Sequence, residues 1–323
     1  MREARRKELP TPRWNSVLVP AAWGVAAFLA LALFLDFDAT SIIIVGLCTA
    51  LIFGKDRSLQ GALATTKDWV GLLVFLLLYA KSRGIADTFG MPVQEESVIA
   101  IDRFLGLGET WVHRSQEWID WDAPPQWWEV TFPLTYATHF LASLGVMVYL
   151  YVHNRVTWKR FMSRWVALSA VGLVGYVLLP TVPPWMASEN GTTALVREGN
   201  PRGWSYVEAD FVADLFEFGR DSVNPIAAMP SLHAAYPMLL LLFFGPSRGL
   251  LGRLLLSLYC LHMGFAIVIS GQHWVIDVFA GWACAVAVHV AFTRRERWNQ
   301  SPVGVRAGWS SRRRLPSGEP LPA

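Results

Sequence analysis

Met229-Pro230-Ser231-Leu232-His233 stands at the head of the apolar segment 231–245, and Ser270-Gly271-Gln272-His273-Trp274-Val275-Ile276-Asp277 leads into the apolar segment 274–292. Pro230 stops the preceding loop, and Ser231 is a good helix N-cap. A helix start offers free backbone N–H groups and the positive end of the helix dipole, which together suit a phosphate. His233 then falls in the first turn, beside any anion held there. His273 and Asp277 are four apart and share one helix face. A carboxylate on one imidazole nitrogen fixes the tautomer and leaves the other nitrogen free to attack. Gly271 lets the backbone approach a ligand closely.

Outward from these two stretches, eight apolar segments can be drawn: 16–35, 39–54, 69–83, 128–152, 161–179, 231–245, 250–270 and 274–292. The second, third and sixth are short for a span of about 20 residues and are expected to extend into their flanks. The chain is 53 % hydrophobic and 16 % charged, against about 25 % charged in a soluble domain. Its 16 tryptophans flank apolar segments, as in an interfacial belt. The segment 16–35 is long enough to span, and no soluble domain follows it, so it reads as a retained first span rather than a cleaved leader.

Charge sets the expected orientation. With both termini inside, 21 of the 28 Lys and Arg fall in inner segments, and 19 of the 25 Asp and Glu fall outside or at the outer edge. That is the positive-inside pattern. Both polar stretches then land at one depth on the outer face, and ionisable groups at span ends are functional candidates by default. The three cysteines lie inside apolar segments with no CxxC pair, which suggests neither a disulfide framework nor a zinc knuckle. The outer segment 84–127 contains amphipathic stretches at 98–107 and 110–119, expected as short surface helices. The outer segment 182–229, rich in Gly, Pro, Asn and acids, is expected to form a structured cap. The resulting expectation is one all-α, polytopic membrane helix bundle. Residues 1–15 form a basic cytoplasmic N-terminus, 16–293 the transmembrane domain, and 294–323 a disordered basic cytoplasmic tail.

Pro-Ser-x-His at Pro230–His233, followed by His-x-x-x-Asp at His273–Asp277, resembles the type-2 phosphatidic acid phosphatase superfamily. The fuller strings, Ala-Ala-Met-Pro-Ser-Leu-His-Ala-Ala and Gly-Gln-His-Trp-Val-Ile-Asp, are most similar to the branch that holds inositol phosphorylceramide synthase, an inositolphosphotransferase-like group. The resemblance covers the last five segments. The eight expected transmembrane helices would then surround the superfamily core, and the resemblance implies a metal-independent, cofactor-free transfer. His273 would be the nucleophile that forms a phosphohistidine, oriented by Asp277. His233 would protonate the leaving alkoxide and then activate the acceptor, an alcohol or water. Ser231 and nearby N–H groups would hold phosphate oxygens. The implied partners are a lipid phosphate ester and the membrane, with no nucleic acid, and the implied place is the plasma membrane.

The chain also departs from the superfamily pattern. Many members carry Lys, six residues, then Arg-Pro, but the residues at that spacing after Lys81 are Thr88-Phe89. Many carry Arg six residues before the nucleophilic histidine, where this chain has Ile267. A phosphate still calls for cationic donors. Arg83 is the first candidate, followed by Lys81, Arg103 and Arg220. Bland readings stand beside these: Ser231 as a cap alone, Lys81 reaching along its stem to the interface, and His139 as a hydrogen-bonded structural histidine. A metal site of two histidines and one carboxylate is a further alternative. The competing functional classes are a lipid transporter or flippase with a His–Asp relay, and an inactive scaffold of the same fold.

Overall fold

The structure, a computed structural model, describes residues 59–209, 212, 224 and 226–300. The segments 16–35 and 39–54, Arg220 and the tail beyond Gln300 lie outside the described residues. Among the described residues the secondary structure is helical, with isolated bridge pairs Gln94–Thr181 and Thr181–Ala227. The helices are α1 (Leu59–Gly84), α2 (Glu96–Leu105), α3 (Trp111–Gln116), α4 (Thr131–His153) and α5 (Arg155–Leu178). They continue as α6 (Pro184–Glu189), α7 (Gly199–Ser205), α8 (Leu232–Phe244), α9 (Leu250–Ile269) and α10 (Val275–Gln300). Four of them are long and apolar enough to cross a membrane: Leu63–Gly84 within α1, then α5, α9 and α10. The short helices α2 and α3 fall on the two amphipathic stretches, and α6 and α7 lie in the Gly- and Pro-rich segment 182–229.

The expected lengthening occurs at α1, which begins ten residues before the 69–83 segment. It does not occur at α8. That helix has 13 residues and is continued only by a 3-10 turn, Gly245–Ser247. Pro230 stands just upstream, and Gly245-Pro246 lies just downstream. Both prolines lack the N–H a continuing helix needs. At the other extreme, α10 runs on past residue 293 to Gln300.

The described residues divide into two compact units, one of residues 59–80 with 140–158, the other of 81–139 with those described between 159 and 300. In the first, Trp69 is fully buried and meets the ring of Tyr151 edge-on at 5.8 Å and that of Trp158 at 6.3 Å. Arg155 Nε donates to Asp68 Oδ2 at 3.0 Å, and Tyr151 Oη donates to Thr65 Oγ1 at 2.8 Å. These polar pairs tie α1 to the α4–α5 junction.

The second unit holds both motif stretches. Helix α8 packs between α9 and α10. The approach to α10 is so close that a Cβ on Gly281 would sit 2.2 Å from the Ser231 carbonyl oxygen, so only glycine fits there. Met263, Ile267, Trp274 and Ala234 form the fully buried centre of the core. On α9 the opposite face exposes Leu250, Leu254, Leu258 and Leu261, which suits a helix with lipid on its outer side. At the end of α10 away from His273, the buried Arg164 of α5 donates to Glu296 Oε1 at 2.8 Å. Its guanidinium lies 5.5 Å from the Phe243 ring and 5.4 Å from the Phe292 ring.

One carboxylate joins three elements. Asp102 of α2 is fully buried, and its two oxygens accept from Trp111 N–H, at the start of α3, and Val275 N–H, the first residue of α10, each at 2.9 Å. Burial pushes its carboxyl above the usual range, although both N–H groups pull the other way. Removing the acceptor leaves two buried donors unpaired, at about 1–3 kcal/mol each. Asp102→Ala should therefore lower the apparent melting temperature in detergent clearly, and Asp102→Asn, which keeps one acceptor, should fall between. The folded state holds this proton more tightly than the unfolded chain. Its contribution is thus complete below the ordinary carboxylate pKa and is lost as pH rises through the raised value. The stability gap between wild type and Asp102→Asn should narrow over that rise.

Candidate active site

Ser231 caps α8. Its backbone is extended (φ −68°, ψ 112°), and its Oγ accepts from Ala234 N–H at 3.4 Å. The residue is fully buried, and its own N–H donates to the Asp277 carbonyl oxygen at 3.0 Å. The start of α8 is thereby bonded to the first turn of α10. Residues 40 positions apart, His233 and His273, are brought face to face.

Helix α9 ends at Ile269, and the chain reverses through Gly271, whose φ of +75° a side chain would strain. A Cβ there would also meet Val196 Cγ1 at 2.8 Å. The N–H groups of Gln272 and His273 both donate to the Ile267 carbonyl at 3.0 Å, which fixes the backbone just before the candidate nucleophile. Trp274 is fully buried and donates its indole N–H to Val182 O at 2.7 Å.

His273 is buried, and each ring nitrogen has a partner. Nδ1 lies 3.3 Å from Asp277 Oδ2, and Nε2 lies 3.4 Å from His233 Nδ1. Asp277 is fully buried, and the same Oδ2 also accepts from Trp274 N–H at 3.0 Å. The arrangement that satisfies every contact has Nδ1–H of His273 donating to Asp277 and Nδ1–H of His233 donating to His273 Nε2. In that arrangement Nε2 of His273 carries a lone pair, as a nucleophile requires. Among the described residues, His233 Nε2 and Asp277 Oδ1 are buried without a hydrogen-bond partner.

The four cationic candidates separate. Arg83, at the end of α1, is half-buried. Its guanidinium lies 5.6 Å from the ring centre of Tyr176, and its charge acts electrostatically on both His139 and His233. Among the described residues its buried Nε has no hydrogen-bond partner. Lys81 and Arg103 are exposed, and no contact joins either to the histidines. Arg220 lies outside the described residues. Ile267, where the resemblance led one to look for arginine, is fully buried in the core. Among the described residues, no group of three His, Cys, Asp or Glu side chains is placed to hold a metal ion.

Three further residues belong to this neighbourhood. Asp102 holds the first N–H of α10, two residues from His273. Nothing in its amphipathic surface stretch marked it. Tyr136 and His139 of α4 bring their rings against His233, with centres at 4.5 Å and 4.2 Å. Their i,i+3 spacing puts them on one helix face and was visible in the sequence. Which residue they would face was not.

No solved structure matches the chain. A stretch of 147 residues is 32 % identical to the phosphoinositol dihydroceramide synthase of Bacteroides thetaiotaomicron, covering 44 % of this chain and 47 % of that protein. The chain thus spans about half the length of the relative it matches. Residues 96–291 match the PAP2 superfamily, a stretch that takes in α2 through most of α10 and every member of the His233–His273–Asp277 relay. With that match over more than half its length, the chain belongs to the PAP2 superfamily, whose motifs the sequence resembled.

Proposed function

We propose that this protein is a membrane lipid phosphotransferase that moves a phospho-head-group from a phospholipid to a lipid alcohol through a phosphohistidine at His273. The observation that carries the reading is the relay itself: a buried imidazole with a carboxylate on one nitrogen and a second histidine facing the other. The likeness to a phosphoinositol dihydroceramide synthase favours an alcohol over water as acceptor. A phosphoinositol donor and a ceramide-type acceptor are therefore the first substrates to try. In this reading the eight-span domain over 16–293 lies in the plasma membrane, and the distribution of Lys and Arg supports termini inside and the site at the outer face.

In the first half-reaction, Nε2 of His273 attacks phosphorus. The N–P bond forms, the bond from phosphorus to the lipid oxygen breaks, and protonated His233 gives its proton to the departing alkoxide. In the second half, His233 takes the proton of the acceptor alcohol, the new O–P bond forms and the N–P bond breaks. Asp277 holds the His273 tautomer through both halves. The two histidine nitrogens stand 3.4 Å apart, while a reacting phosphorus needs about 3–3.5 Å from its nucleophile alone. Substrate entry therefore opens this contact. Arg83 is the cation best placed to meet phosphate oxygens, with Ser231 and the first N–H groups of α8 on the same helix start.

The direct test uses purified full-length protein in detergent, phosphatidylinositol and a dihydroceramide, followed by mass spectrometry. A new phosphodiester that disappears in His273→Ala is the expected result. Inositol phosphate in its place would make water the acceptor and the protein a hydrolase, and turnover that survives His273→Ala would remove His273 from the reaction. Arg83→Ala should lower kcat/KM about 10- to 100-fold, the worth of a hydrogen bond to a charged group. Arg83→Lys, which keeps charge but not the planar fork, should lie between. The need for a neutral His273 and a protonated His233 predicts a bell-shaped profile of kcat/KM against pH, and a flat profile between roughly pH 5 and 9 would sink the two-histidine mechanism.

A further inference from the structure

His233 has the most demanding task in the proposed reaction and the weakest polar hold. Its Nδ1 contact to His273 is 3.4 Å long, and among the described residues its Nε2 has no hydrogen-bond partner. The torsion that turns an imidazole about its Cβ is broad and does not by itself fix the ring. Something else must set the plane in which its nitrogens point.

The rings of α4 are suited to that. Tyr136 lies nearly parallel to His233, at 4.5 Å and 22°, and His139 lies at 4.2 Å and 38°. Beyond His139 the column continues through Tyr236 at 5.1 Å to Trp165, stacked on Tyr236 at 5.1 Å and 18°. The column is anchored at its far end. Ser169 Oγ donates to Trp165 O at 2.9 Å, so the 2.7 Å contact to Tyr236 Oη is one in which the tyrosine donates. His139, Tyr236 and Trp165 are all buried. Five rings from α4, α8 and α5 thus form one packed series, with the candidate general acid near its end.

We propose that Tyr136 and His139 are positioning residues that hold the His233 ring by stacking, so that its nitrogens stay aimed at the phosphoryl group and the leaving oxygen. The inference rests on the two-histidine reading given above. It assigns His139 a role through its ring face rather than through proton transfer. Among the described residues, the charged and titratable groups around His233 are Tyr136, His139, His273 and Arg83, with Asp277 behind His273.

The test compares ring-deleting with ring-keeping variants of the full-length protein in detergent, using the phosphatidylinositol and dihydroceramide assay. Misplacing a catalytic group by about 1 Å can cost about 100-fold in rate. His139→Leu should lower kcat about 100-fold, with KM within about threefold of wild type. His139→Phe, which keeps a ring and cannot titrate, should recover all but about tenfold of it and keep both limbs of the pH profile. A His139→Phe enzyme as slow as His139→Leu, or one that has lost a limb, overturns positioning by stacking, because the imidazole nitrogens would then be what matters. Full activity in His139→Leu overturns it as well. If His139→Leu does not elute as folded protein on size exclusion, Tyr136→Leu against Tyr136→Phe makes the same comparison. His233→Ala is run alongside. An active His233→Ala removes the two-histidine reading and this inference together, whereas an inactive one beside a fully active His139→Leu overturns the positioning role alone.

Discussion

Everything at this site depends on two helix starts meeting without room for a side chain between them. Ser231 N–H donates to the Asp277 carbonyl at 3.0 Å, and Gly281 lies where any Cβ would collide with the Ser231 carbonyl. That contact sets the distance between His233, in the first turn of α8, and His273, just before α10. Two helix N-termini converge on one point, and each brings a positive dipole end. Phosphoryl chemistry gains from such preorganised charge because little has to move as the reaction proceeds. The carboxylate of Asp277 works within the same few ångströms, since one oxygen both accepts from Trp274 N–H and faces His273 Nδ1.

The departures from the superfamily pattern have a structural counterpart. At position 267 the side chain points into the apolar core, while its carbonyl takes the N–H groups of Gln272 and His273. The backbone at this position is committed to shaping the turn, and the side chain to packing. In the proposed reaction a cation for phosphate then has to come from elsewhere. Arg83 arrives from the end of a different helix, with a buried Nε that none of the described residues engages. A buried guanidinium nitrogen without a partner is costly, and a bound phosphate oxygen would relieve that cost.

The loops around the site add buried polar contacts to the apolar side chains, such as Val112, Val182 and Val196, that they send into the core. Gln116 donates to Arg197 O at 2.7 Å and to Ile269 O at 2.9 Å, and accepts from Arg197 N–H at 3.1 Å. Arg202 donates to the buried Glu129 at 2.6 Å and to the carbonyls of Asp120 and Ala123. Asp102 holds the starts of α3 and α10. Removing one member of such a network leaves its partners unpaired in a low-dielectric setting, so each member is worth more in place than a pairwise view suggests. The result is a bonded frame around His273 in which polar contacts and buried apolar side chains come from the same segments.

The sequence by itself determined the features that depend on neighbours a few residues apart. Apolar runs made the long helices readable, amphipathic spacing marked α2 and α3, Pro230-Ser231 marked the start of α8, and the four-residue step from His273 to Asp277 already placed a carboxylate beside an imidazole. Those follow from helical periodicity and from the capping preferences of single residues. What only the tertiary structure decided are contacts across long separations: His233 against His273, Asp102 on the first N–H of α10, Tyr136 and His139 on the face of His233, and Arg83 set apart from Lys81 and Arg103. No local spacing encodes these, because they arise from which helix faces pack together. Here that packing is governed by side-chain volume at a few points, above all by the absence of a side chain at Gly281.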